Sequence, residues 1–263
     1  SSSFGSDEDL QLIGEAVPFA LKLMESIASA TPEHVEIHQA LASGFTQYSM
    51  VYVLHPAETS KDQDLEAFRA AQARAARLFI RARDYGLRTL EIRHPGFSSH
   101  LMDAPAAALE KLTVEDVPLL YWTATPWLGA ISVSKEDMAR IGEVPFAVGM
   151  LDRALELDPR WNQGAIHDML ITIEPLRPEP GWQERSRQHF KQAVELSNGQ
   201  RLSPYVSLAT TVSVANQNRA EFEALLQEAL SIPLENSPEE LTANTFYRER
   251  AVWLLSQIDD LFI

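Results

Sequence analysis

Cysteine is absent from the 263 residues. That excludes disulfides, thiolate nucleophiles and thiolate metal sites, and it fits a cytoplasmic or a periplasmic protein equally well. No apolar run reaches the roughly 18–20 residues that a membrane helix needs. Basic residues are in deficit: 22 Lys and Arg stand against 37 Asp and Glu, for a formal charge of -15. A chain this acidic lacks the footprint of a nucleic-acid binder and is repelled by anionic membrane surfaces. The usual catalytic signatures are missing too. There is no nucleophile elbow, phosphate loop, dinucleotide fingerprint or zincin motif. Ser98-Ser99-His100 has no recognisable acid or oxyanion context. No catalytic residue and no cofactor are assigned. His34 and His38 share a helical face at a spacing that two zinc ligands use, but no third ligand is indicated, so no metal is expected. The opening Ser1-Ser2-Ser3-Phe4-Gly5-Ser6 lacks both a methionine and the apolar core of a signal peptide. Residues 1–6 are expected to be a flexible or trimmed linker, and 7–263 a single all-α domain.

What the chain does have is helical periodicity. Hydrophobic residues make up 45% of it, enough for a sizeable core. Leu10, Ile13, Val17, Ala20, Leu21, Met24 and Ile27 recur at spacings of three and four, predicting a helix over 7–29 capped by Ser6. A second helix is expected over 33–54, closed by His55-Pro56, and a long third one over 62–93. Residues 97–105 read as a looser stretch. Further helices are expected over 115–133, 136–157, 160–174, 182–197, 203–214, 218–231 and 238–260. Residues 206–214 are rich in β-branched side chains, but Tyr205, Leu208, Ala209 and Val212 fall on one helical face, so this segment reads as helix.

Several helix endings are alike. Ala154-Leu-Glu-Leu, Ala193-Val-Glu-Leu and Ala229-Leu-Ser-Ile each place a large residue (Leu151, Phe190, Leu226) three positions before the alanine. Such self-similarity marks stacked supersecondary units. Ala147, Leu151, Ala154 and Pro159 match the second half of the tetratricopeptide pattern. The first-helix signature is poorly kept, so the repeats are cryptic. The expected architecture is a solenoid-like stack of antiparallel helical hairpins, about four tetratricopeptide-type repeats with a C-terminal capping helix.

Longer phrases carry a family likeness. "PFALKLMESIASATPEH", "ARLFIRARDYGLRTLEIRHPGF", "DVPLLYWTATPWLGAIS", "LDRALELDPRWNQGAIHDMLITIE" and "ERAVWLLSQIDDLF", in this order and spacing, resemble the TRAP transporter TatT component family, the T-component of tetratricopeptide-protein-associated tripartite ATP-independent periplasmic transporters. The resemblance runs over essentially the whole chain. It implies a non-enzymatic periplasmic accessory protein, often tethered as a lipoprotein through a cysteine that this sequence lacks. It also implies a homotrimer that docks the substrate-binding P-component and handles hydrophobic or lipid-like ligands. A general interaction scaffold without a ligand path, or an unrecognised α-helical enzyme, are the alternatives.

Candidate site residues follow from side-chain character. Phe45, Tyr48 and Tyr52 form an aromatic stripe on the second helix, read either as core or as ligand lining. Tyr121, Trp122 and Trp127 surround Pro126. The two tryptophans are five apart and point different ways, so one is a candidate to line a cavity or a subunit contact. His167 adjoins an acid on a helix. Arg74, Arg77, Arg81 and Arg88 share a face of the third helix. They form a basic ridge on an acidic protein that either meets an acidic partner or is simply solvated, with internal pairs such as Arg77 with Asp84.

Overall fold

The computed structural model describes residues 6–262. The expected linker is therefore outside the described residues except for Ser6, which is exposed. All regular structure among the described residues is helical. The all-α expectation holds for the physical reason that suggested it: apolar positions repeat with the helical period.

Helix α1 spans Leu10–Ala30. Its N-terminal cap is Asp9 rather than Ser6: the Asp9 carboxylate accepts from the Leu12 amide at 2.9 Å. Helix α2 spans Val35–Tyr48 and does not end at His55-Pro56 as expected. It passes into a π-helical segment, Ser49–Leu54, and on into α3, His55–Thr59. Pro56 is the second residue of α3 and supplies no amide donor where the helix passes through it. The hydroxyls of Thr46 and Ser49 donate back to the Ala42 and Phe45 carbonyls, each at 2.6 Å. Helix α4, Leu65–Arg93, is capped by Asp64 on the Ala67 amide at 2.8 Å.

The looser stretch expected over 97–105 is instead two short helices, α5 (Phe97–Asp103) and α6 (Pro105–Glu110). Gly96 takes φ +85°, and the Glu91 carboxylate accepts from the amides of Gly96 (2.6 Å) and Ser98 (3.0 Å). A carboxylate in the last turn of α4 thus starts α5, a link that periodicity does not reveal. Helix α7 is Val117–Ser132 with Pro126 inside it. The helix expected over 136–157 divides into α8 (Met138–Ile141) and α9 (Val144–Leu157), because Pro145 opens a new first turn.

Helix α10 is Trp161–Ile173, but Asn162, Gln163 and Gly164 all lie at positive φ before regular helix begins. Then come α11 (Trp182–Leu196), α12 (Ser203–Leu208) with a π-helical continuation Ala209–Ser213, and α13 (Arg219–Ser231). The chain closes with α14 (Leu241–Ser256) and α15 (Ile258–Leu261).

Two compact units emerge, one of residues 14–158 and one of residues 6–13 with 159–262. In the first, α4 packs against α2 and α7, and α7 against α9. Its buried clusters join Leu21, Leu41, Phe45 and Ala82, and Val53, Ala75, Phe79 and Ala130. Gly86 sets the α4–α7 spacing, since a Cβ there would stand 2.3 Å from Thr123 Oγ1 and 3.0 Å from its Cα. In the second unit α10 packs against α11 and α12, and α13 against α12 and α14. Phe222, Leu226, Ala251 and Leu254 form one of its cores. Ala154, Ala193 and Ala229 are all buried, and so are Leu151 and Leu226. Gly164 shows where a small residue is needed: a Cβ there would lie 3.2 Å from the Cα of Ala193, so the α10 and α11 backbones come close.

Candidate functional site

In the unit of residues 14–158 the aromatic stripe divides by depth. Phe45 belongs to the core. Tyr48 and Tyr52 are half-buried, with ring centroids 5.8 Å apart. Arg74 donates from Nη2 to the Tyr48 hydroxyl at 3.2 Å and lies 5.7 Å from that ring's centroid. The Tyr52 ring lies against Gly14, where a Cβ would come within 2.7 Å. Only the two tyrosines present aromatic surface outward.

The four ridge arginines are all exposed. Arg74, Arg77 and Arg81 follow at one-turn spacing, and Arg88 comes two turns later. Asp84 pairs not with Arg77 but with adjacent Arg83, at 2.8 Å. Beneath the ridge lies a residue that sequence reasoning missed. Glu25 of α1, buried, receives the Tyr85 hydroxyl at 2.9 Å, Arg81 Nε at 3.0 Å and Lys22 Nζ at 2.6 Å. Burial, and then the hydrogen bond to the Glu25 carboxylate and its charge, push the Tyr85 hydroxyl up to about 12. The Arg81 guanidinium lies 5.3 Å from the Phe45 ring centroid. The available signal was the position of Glu25 itself: an acid between Leu21 and Ala28 on the inward face of α1.

Above this layer an open cleft of about 400 Å³ is lined by His38, Arg77, Ile80, Arg81, Tyr85 and Arg88, with Asp84 at its side. His38 and His34 do not act together. His34 Nδ1 meets Glu36 at 3.1 Å, while His38 Nε2 meets the Pro32 carbonyl at 3.1 Å.

On α7, Trp127 is buried, stacks on Phe146 with centroids 6.1 Å apart, and donates from Nε1 to Glu143 at 2.7 Å. Arg83 covers its other surroundings, 5.2 Å from the ring centroid. Trp122 and Tyr121 are half-buried and meet edge to face at 5.0 Å. The divergence expected from five-residue spacing is observed: one tryptophan is core, and the other keeps accessible surface.

In the second unit His167 is buried, with Nδ1 2.8 Å from Nδ1 of His189. Burial, and then the neighbouring His189, push its imidazole down to about 4. Glu174, 2% exposed, lies 3.7 Å from His189 Nε2. It also meets Arg177 Nε at 2.8 Å and Arg185 Nε. Asp168 faces away, accepting from Ser207 Oγ at 2.9 Å. Burial raises its carboxyl, against hydrogen bonds from Ser203 and Ser207. His189 was invisible to local spacing because its partner lies 22 residues earlier.

Among the described residues no group of three or more histidines and carboxylates is arranged to hold a metal ion, and no helix is long and apolar enough to cross a membrane. What the first unit displays on its surface is two half-buried tyrosines, a row of exposed guanidinium groups and a cleft beside them.

Comparison with known proteins gives this surface its setting. The chain is similar to an uncharacterised protein of Treponema pallidum (strain Nichols), 28% identical over 266 aligned positions that take in 99% of this chain and 82% of the relative. The family model for the TRAP transporter T-component matches residues 6–262. The chain belongs to the TRAP transporter T-component family.

Proposed function

We propose that this protein is the non-enzymatic accessory component of a periplasmic TRAP-type uptake system, where it docks the substrate-binding P-component and shelters a hydrophobic ligand. The observation that carries the reading is the family match over nearly the whole chain. The surface chemistry supports it. The α4 segment from Lys61 to Pro95 has a surplus of basic residues on a chain whose formal charge is -15, so the ridge of Arg74, Arg77, Arg81 and Arg88 suits an acidic partner. Tyr48, Tyr52, Tyr121 and Trp122 offer aromatic surface that a partner or an apolar ligand can cover.

On this reading residues 7–263 work as one module of cryptic tetratricopeptide-type hairpins, with α14 and α15 as the cap. Buried Ala154, Ala193 and Ala229 supply the notches such hairpins need. Burying ligand hydrocarbon contributes about 0.8 kcal/mol per methylene, so an apolar chain is held without a charged anchor. Tethering through a lipidated N-terminal extension and assembly as a homotrimer complete the proposal.

The test is direct binding of the purified chain to the P-component from the same source. A complex that weakens steeply with salt and on changing Arg74 and Arg77 to Gln is expected. Failure to associate at tens of micromolar, at any ionic strength, refutes the docking reading. Native mass spectrometry after exposure to lipids tests the ligand: a retained lipid-sized adduct is expected, and persistent emptiness points to a plain scaffold. Light scattering tests the trimer.

A further inference from the structure

Helix α1 carries an apolar face that the described residues leave uncovered. Leu12 is 56% exposed, Phe19 74%, Leu23 51% and Ile27 42%, and Ala16 is exposed among them. The opposite face belongs to the fold: Ile13, Leu21 and Ala28 are buried. The helix is thus apolar on two sides. Packing against its own chain requires only one such face. A contiguous outward apolar stripe marks a contact surface.

The stripe has the spacing of a helix pair. Leu12, Ala16, Phe19 and Leu23 follow one another in steps of four, three and four, the seam along which one helix packs on another. Glu15 and Lys22 are exposed and stand along one edge of this seam, two turns apart. Lys22 meets Glu25 at 2.6 Å, but its side chain is 68% exposed and an ammonium keeps further donors to offer. Pro18 lies inside the helix but off the seam.

Two copies of α1 fit each other in one register. Set antiparallel about a twofold axis, with Leu12 facing Leu23 of the second copy, they bring Ala16 against Phe19 of the second copy, small against large. The same register puts Glu15 beside Lys22 of the second copy, and the twofold axis makes every one of these contacts twice. A parallel pair has no such fit. Glu15 then stands beside Ala20 of the second copy, and Lys22 beside its Ile27. Charge and size together choose both the occupant of the stripe and its direction.

We propose that α1 is a self-association surface, through which two copies of this chain pair by an antiparallel crossing of their Leu12–Leu23 seams. The proposal goes beyond the docking reading, because it needs neither the P-component nor a ligand. A twofold contact is also a different interface from one that closes a trimer, so the two are separable. One helix face from each copy is a small interface, and the pairing is expected to be weak, with Kd on the order of 10 µM.

The experiment is sedimentation equilibrium of the full chain, from well below to well above that concentration. The wild type is expected to reach a limiting mass of two chains, or of six where a trimer also closes. Phe19→Glu is expected to halve the limiting mass with an unchanged circular dichroism spectrum, the position being 74% exposed. Glu15→Lys is expected to weaken pairing roughly fivefold, and adding Lys22→Glu to restore most of the loss. A limiting mass of one or three chains, a mass that Phe19→Glu leaves unchanged, or a charge swap that pairs no better than Glu15→Lys alone each overturns the proposal. Three chains untouched by Phe19→Glu would sink the α1 pair and uphold the trimer, while two chains would do the reverse.

Discussion

Helix α4 and the α10–α11 pair both set arginines beside carboxylates, yet they use them in opposite ways. On α4 the four ridge arginines are exposed, even where Arg81 reaches down to the buried Glu25. Between α10 and α11 the carboxylate of Glu174 is 2% exposed and gathers Arg177, Arg185 and His189 around it. Exposed charge is screened and adds little to stability, so the ridge is free to serve recognition. Enclosed charge is expensive to strand, so the Glu174 network commits its residues to holding helices together. The lesson is that residue type does not separate a solvated charged face from a structural clamp; depth does.

The strongest way to sharpen this contrast is Glu174→Ala. It leaves two guanidinium groups and His189 facing an emptied, buried position, and a loss of roughly 3–5 kcal/mol is expected by urea unfolding. A change below about 1 kcal/mol would break the comparison. Next comes Gly86→Ala in α4. The new Cβ collides with Thr123, including its backbone, and about 1–3 kcal/mol should be lost as α4 and α7 part.

A smaller effect concerns pH. The His167 imidazole is pushed from 6.5 down to about 4, by burial first and then by His189. Below pH 6.5 the unfolded chain takes up a proton that the folded chain refuses. Stability is therefore full above 6.5 and falls as the pH drops toward 4. His167→Gln should flatten that slope between pH 6.5 and 4.5 in thermal melts; an unchanged slope would remove His167 as its source. The smallest effect is expected for Arg74→Gln on the exposed ridge. It loses a 3.2 Å hydrogen bond to Tyr48 but should shift stability by less than about 0.5 kcal/mol, while weakening association with an acidic partner.

Legibility followed the same division. The helical face of Tyr205, Leu208, Ala209 and Val212 overruled the β-branched composition around it, because a period of 3.6 is a property of neighbours in the chain. The small inward positions Ala154, Ala193 and Ala229 were readable for the same reason, and each is buried. The four ridge arginines are all exposed. Helices α5 and α6 were missed because the start of α5 depends on Glu91 reaching two amides across a tight turn. The close of α2 was missed because a π segment carries the helix through a His-Pro pair that usually stops one. His38 was weighed as a metal ligand; its contact with the Pro32 carbonyl and its place in the wall of the cleft emerge only when α4 is laid beside α2.

The amino-acid pattern alone settled that this chain is helical, where most helices lie and which of their faces are apolar, since these depend on residues three and four apart. Only the packed structure decided which charges are enclosed and which stand in water, that Glu25 ties Lys22, Arg81 and Tyr85 together, and that His167 meets His189. Those pairings join residues 3 to 60 positions apart. Most of them cross from one helix to another, and local periodicity carries no information about that distance.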